Sequence, residues 1–159
     1  MGGVALKQLS FVLPEWDRKA TQEAVEAAIE KYRLCLLVIP EERLPQVTAK
    51  YTLEIPSFSN QFHSSTEDIA IERIDEEQRR MKYVEFFRKA INRLSPRERE
   101  ALILRYLGDE ELYDYEVYNQ LDMSESHYHQ KFKPRIFYKL ALALKLEVFK
   151  PKEEGNGIH

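Results

Sequence analysis

Residues 94 to 124 constrain the fold most strongly, because helix start and stop signals follow one another there at short intervals. In LSPREREALILRYLG, Ser95 can cap a helix, Pro96 suits its first position, Glu98 completes a capping box and Gly108 ends the run. Asp114 can cap a short helix carrying Val117, Tyr118 and Leu121, and Ser124 caps one more. The chain therefore closes in three helices with short connections, ending near Leu146. The polar tail that follows, PKEEGNGIH, is expected to be disordered.

Upstream, a helix is expected from an Asp17 cap through ATQEAVEAAIEKYRLCLLV to near Val38, closed by Pro40 and Pro45. Residues 46 to 55, QVTAKYTLEI, alternate cleanly, with Val47, Ala49, Tyr51, Leu53 and Ile55 on one side. That is a strand pattern without an obvious partner. Leu9, Phe11 and Leu13 can supply one, or the segment can lie as an extended arm on a helix. Pro56, Ser57, Ser59 and Asn60 mark a linker. Ser64-Ser65-Thr66-Glu67 fits a second capping box and opens the longest helix. Its apolar stripe runs through Ala70, Ile74, Met81, Val84, Phe87, Ile91 and Leu94. At about 1.5 Å per residue such a helix spans roughly 43 Å, so either the first helix or a second copy of the chain must cover it. The expected fold is all-α. It divides into an N-terminal helical and extended region (1–63), a long connecting helix (64–94) that offers a homodimer seam, a helix-turn-helix domain (95–150) and the tail (151–159).

Composition narrows the function. With 159 residues and 43% hydrophobic content, the chain can build a core without staples. Its single cysteine, Cys35, excludes an internal disulfide framework and reads as a small core residue. No Cys/His spacing suits a structural zinc, and none of the five glycines belongs to a phosphate-cradling loop. His127 and His129 stand two apart, about 200° around a helix, which disfavours a shared metal. No catalytic constellation can be assembled, so neither an enzyme nor a cofactor is expected. No run approaches the roughly 20 apolar residues that span a bilayer, which makes a cytoplasmic protein without membrane contact the expectation.

A formal charge of −3 looks wrong for a nucleic-acid binder, but the sum hides the distribution. From Glu98 to Glu125, nine acidic residues face only Arg99 and Arg105. From His127 to Lys152, seven lysines and arginines face only Glu147. Positive charge thus begins at the helix that Ser124 opens. Leu121-Asp122-Met123 before it suits a tight turn: Asp122 tolerates a left-handed backbone, and Leu121 and Met123 can plug the junction. A helix presented across such a corner can enter a major groove by its first turn. Ser124, Ser126, His127, His129, Gln130, Lys131 and Lys133 are then the DNA-facing candidates. Glutamine can pair bidentately with adenine, and the lysines neutralise phosphate. Tyr128, Phe132, Ile136 and Leu140 form the buried face.

The run AINRLSPREREALILRYLGDEELYDYEVYNQLDMSESHYHQKF resembles the DNA-binding region four of sigma-70-type factors. The chain is more similar still to the ArpU family of phage late transcriptional regulators. That similarity extends to SNQFHSSTEDIAIERID (59–75) and KLALALKLEVF (139–149). The resemblance implies sequence-specific binding of double-stranded DNA, control of phage late or lysis genes, and bacterial RNA polymerase as a partner. Three residues depart from the pattern. Tyr118 stands where a small residue is usual, Lys131 where an apolar one is, and Pro134 removes a backbone donor in mid-helix, which predicts a kink or a fresh helix start.

The competing reading is a phage packaging component of the small-terminase kind, or a protein-binding adaptor, using the long helix and the basic C-terminal helix for assembly. Duplex binding at rising salt separates them. A regulator keeps a specific site above background, whereas an adaptor binds no DNA at physiological salt.

Overall fold

The computed structural model of the chain describes residues 16–56 and 68–146, the side chains of 68–74 excepted. Its architecture is all-α with one minute hairpin. In chain order the elements are α1 (Arg18–Leu37), a 3₁₀ turn (Glu41–Arg43), β1 (Gln46–Val47), β2 (Leu53–Glu54), α2 (Asp68–Asn92), α3 (Pro96–Leu102), α4 (Asp114–Gln120), α5 (Glu125–His127) and α6 (Lys133–Leu144). Two π-type turns, Ile103–Leu107 and Tyr128–Phe132, extend α3 and join α5 to α6.

α1, α3 and α5 start where a side chain takes up an orphan backbone donor. Asp17 accepts from the Ala20 N–H at 3.0 Å, as its position predicts. Ser95 and Glu98 form the expected reciprocal box, with Pro96 in the first turn. The ends of α4 and α6 use a different device. Asp122 and Lys145 adopt left-handed backbones, with φ of 52° and 58°. The N–H of Met123 then reaches the Tyr118 carbonyl (2.9 Å), and that of Leu146 the Ala141 carbonyl (2.8 Å). Both are Schellman closures, formed here without glycine.

α1, α2 and α6 pack on one another, which answers what covers the long helix. Val25, Ile29 and Tyr32 of α1 meet Val84, Phe87 and Ile91 of α2 and Phe137, Leu140 and Leu144 of α6 in one buried cluster. The Tyr32 and Phe87 rings stack at 4.3 Å, and burial pushes the Tyr32 hydroxyl pKa far up. Along the stripe, Met81 is half-buried while Val84, Phe87, Ile91 and Leu94 are fully covered from within the chain.

Two expectations need correction. Residues 46–55 do not form one alternating strand. The segment folds back on itself, pairing Gln46 with Glu54 and Val47 with Leu53 in antiparallel register. The turn is hidden in TAKYT: the Thr48 hydroxyl oxygen accepts from the N–H groups of Lys50 and Thr52, and Tyr51 takes a left-handed backbone (φ 57°). Asp114, moreover, does not cap α4. Tyr113 is the residue ahead of the helix, with its N–H bonded to Glu116 (2.8 Å), and the Asp114 carboxylate is turned to other partners. The proposed strand partner Leu9, Phe11 and Leu13, the linker after Pro56, the Ser64 box and the tail from residue 151 lie outside the described residues.

Candidate nucleic-acid interface

The helix opened by Ser124 is held in place from behind by one carboxylate. Asp114 Oδ1 accepts from Arg105 Nε (3.1 Å), Tyr128 Oη (2.7 Å) and Lys133 Nζ (3.1 Å), and Oδ2 accepts from Lys133 at 3.0 Å. Four helical segments are tied by this knot. Burial works against the charged form of Asp114. The hydrogen bonds from Tyr128 and Lys133 and the nearby Arg105 charge outweigh it, so its pKa lies below the ordinary aspartate value. The same contact, added to burial, drives the Tyr128 hydroxyl well above the usual phenol range.

α3 anchors to α6 in a similar way. Glu98, 3% exposed, accepts from the Ser95 N–H and from Lys139 Nζ, both at 2.9 Å. Its burial alone would raise its pKa, but Lys139 and the two Ser95 donors hold it below the ordinary glutamate value. At the corner, Leu121 is buried and Met123 half-buried against the core, so both plug the junction as expected. Arg97 of α3 donates to the Leu121 carbonyl and pins the turn.

In front of these anchors the leading turn is open. The Ser124 side chain accepts from the His127 N–H at 3.2 Å. Ser124, Glu125, Ser126, His127, His129, Gln130 and Lys131 are all exposed, while Tyr128, Phe132, Ile136 and Leu140 are buried. Lys133 differs from the other candidates, because its ammonium is half-sheltered on Asp114 and is committed inward.

The π-type turn accounts for the departures at Lys131 and Pro134. In it the Lys133 N–H reaches back to the Tyr128 carbonyl, so one extra residue is accommodated and Phe132, not Lys131, falls on the buried face. Backbone angles stay helical through Phe132 and Lys133, so the π-type turn runs directly into α6, which carries Pro134 in its first turn. A wide turn also moves aside the carbonyl that a proline ring would strike. Tyr118 is accommodated by lying half-buried against the rings of Tyr128 (5.6 Å) and His129 (6.2 Å).

Two arginines escaped the sequence reading. A hollow of about 420 Å³ beside the leading turn is lined by Arg97, Asp122, Met123, Ser124, His127, Phe132 and Arg135. Arg97 precedes Ser124 by a whole helix and connection, so spacing gave no sign that the two meet. Arg135 lies beyond Pro134, where the phase of the helix was ambiguous. Among the described residues no group of three or more His, Cys, Asp or Glu is arranged to hold a metal ion. None of the described helices is long and apolar enough to cross a membrane.

Comparison with known proteins places the chain in a phage-related family. It belongs with the uncharacterized phage-related protein Lin1259/Lin1739 of Listeria innocua, to which it is 34% identical over 140 residues, spanning 88% of this chain and 97% of that one. It is also similar to protein Gp66 of Listeria phage A118, at 27% identity over 128 residues, 80% of this chain and 87% of Gp66. No protein-family profile and no solved structure matches the chain.

Proposed function

We propose that the protein is a sequence-specific DNA-binding regulator of phage genes, of the ArpU kind, acting on late or lysis functions through a sigma region four-like helix-turn-helix. α4 and α5 are its two helices, and the turn from Ser124 enters the major groove. One observation carries the reading: a capped leading turn stands fully exposed across a left-handed corner while the next turn is knotted to Asp114. Ser126, His127, His129 and Gln130 reach base edges or phosphate, and Lys131 neutralises phosphate. Lys133 serves as a positioning residue, because a charge held by Asp114 gains little from a phosphate. The regulator takes bacterial RNA polymerase as a partner, and the stripe of the long helix that offered a seam for a second copy is taken up by α1 and α6.

The test is selection of bound duplexes from a random pool, followed by affinity measurements at rising salt. A recovered common sequence that outlasts background binding supports the proposal, and Lys131→Ala should weaken all duplexes and lower the salt slope by about one. Absence of any duplex binding at physiological salt overturns it. A second reading, a protein-docking adaptor, draws on the exposed, stacked Tyr113 and Tyr115 rings (5.8 Å apart) beside the acidic run Asp109-Glu110-Glu111.

A further inference from the structure

The hairpin is gripped by the same unit that presents the leading turn. Arg99 of α3, 8% exposed, directs its guanidinium to backbone oxygens: Nε to Tyr51 (3.1 Å), Nη2 to Lys50 (3.1 Å) and Nη1 to Leu94 (2.6 Å). From α2, Asn92 bonds both the N–H (2.9 Å) and the carbonyl (3.0 Å) of Leu53, and Arg88 adds a third bond at 3.1 Å to that carbonyl. The Thr48 and Thr52 hydroxyls meet at 2.7 Å across the base of the turn. With its carbonyl turned inward to Arg99, Lys50 stands exposed at the tip.

That tip is a neighbour of the corner that precedes the candidate recognition helix. A depression of about 520 Å³ is lined by Lys50 and Tyr51 together with Arg97, Gln120 and Asp122. The 420 Å³ hollow beside Ser124, His127 and Arg135 shares Arg97 and Asp122 with it. Lys50 and Arg97 therefore border the first recess, and Arg97, His127 and Arg135 the adjoining one.

We propose that the Lys50 hairpin is a second DNA contact, a wing seated on the phosphate backbone that flanks the groove entered by α5. The proposal rests on the reading of α5 as a DNA-binding helix. Glu100 and Asp122 also line the first depression, so a phosphate seats at its rim, by Lys50 and Arg97, and not on its floor. Because the turn is pinned through backbone atoms, the lysine is held where it is without its own side chain taking part. An ammonium on a phosphate adds affinity without reading sequence.

The test compares the full-length chain with Lys50→Ala and Lys50→Glu on a duplex selected by the wild type and on a random duplex, over a salt series. Thermal melting should be unchanged, since the backbone carbonyls that Arg99 holds are retained. Lys50→Ala should weaken both duplexes several-fold and lower the salt slope by about one. Lys50→Glu should weaken them further, and neither change should alter the preferred sequence. Unchanged affinity and slope in both variants, with Gln130→Ala still changing the selected sequence, overturns the wing and leaves the recognition helix standing. Failure of the wild type to bind any duplex overturns both.

Discussion

Among the described residues, two helices begin at a serine cap, and they put their first turns to opposite uses. In Ser95-Pro96-Arg97-Glu98 the third helical residue reaches back to the Ser95 N–H and is buried under Lys139. In Ser124-Glu125-Ser126-His127 the same position holds an exposed histidine, and nothing returns to the Ser124 N–H from it. The cap fixes where a helix starts. What stands three residues later decides whether that start is a fastening or a surface.

The comparison can be broken at the anchors first. Asp114→Asn leaves Arg105 and the sheltered Lys133 without their counter-charge. We expect a loss of about 3 kcal/mol at neutral pH, read by urea unfolding, with α5 loosened. The acid dependence follows from the sign of the shift. Because the folded pKa of Asp114 lies below its ordinary value, its contribution is complete above about pH 4 and disappears as pH falls through the lower folded value. Wild type and Asp114→Asn should therefore differ least in strong acid. A gap that stays constant with pH would mean that the carboxylate charge is not what holds the knot.

Glu98→Ala removes the inward half of the comparison. It orphans the Ser95 N–H and frees Lys139, and should cost about 2 kcal/mol. Lys139→Ala should cost less than about 1 kcal/mol, since nearly half of that side chain is in water. Equal losses would show that the ion pair, and not the capping box, fastens α3 to α6.

The smallest change is the sharpest. His127→Glu gives the Ser124 helix the box that the Ser95 helix already has. It should raise stability by about 0.5 kcal/mol through the reciprocal bond and the helix dipole. On the proposed function it should also abolish DNA binding, by placing a carboxylate in the groove. Higher stability with intact DNA affinity would remove the leading turn from the interface.

The sequence disclosed what is set by local chemistry. Asp17, Ser95 with Glu98, and Ser124 cap as their side chains predict, and the left-handed turn at Asp122 was legible because only a few residues tolerate it. The hairpin was not legible. Its turn contains no glycine or proline, and Thr48 makes it through side-chain bonds inside a run that alternates as a single strand would. Asp114 misled for a related reason, since an acid at a helix start usually bonds the backbone, whereas here Arg105, Tyr128 and Lys133 converge on it from other segments. The late position of Phe132 was a readable trace of the wide turn. Arg97 left no such trace, because its place beside Ser124 depends on the packing of α3 against the corner and on its bond to the distant Leu121 carbonyl.

A titration of isotope-labelled protein with a selected duplex, followed by NMR, tests the central claim most directly. The account predicts the largest shifts at Ser126, His127, His129 and Gln130, with Tyr128 and Phe132 moving only slightly. Silence along that turn, with shifts gathered around Tyr113 and Tyr115 instead, would contradict it.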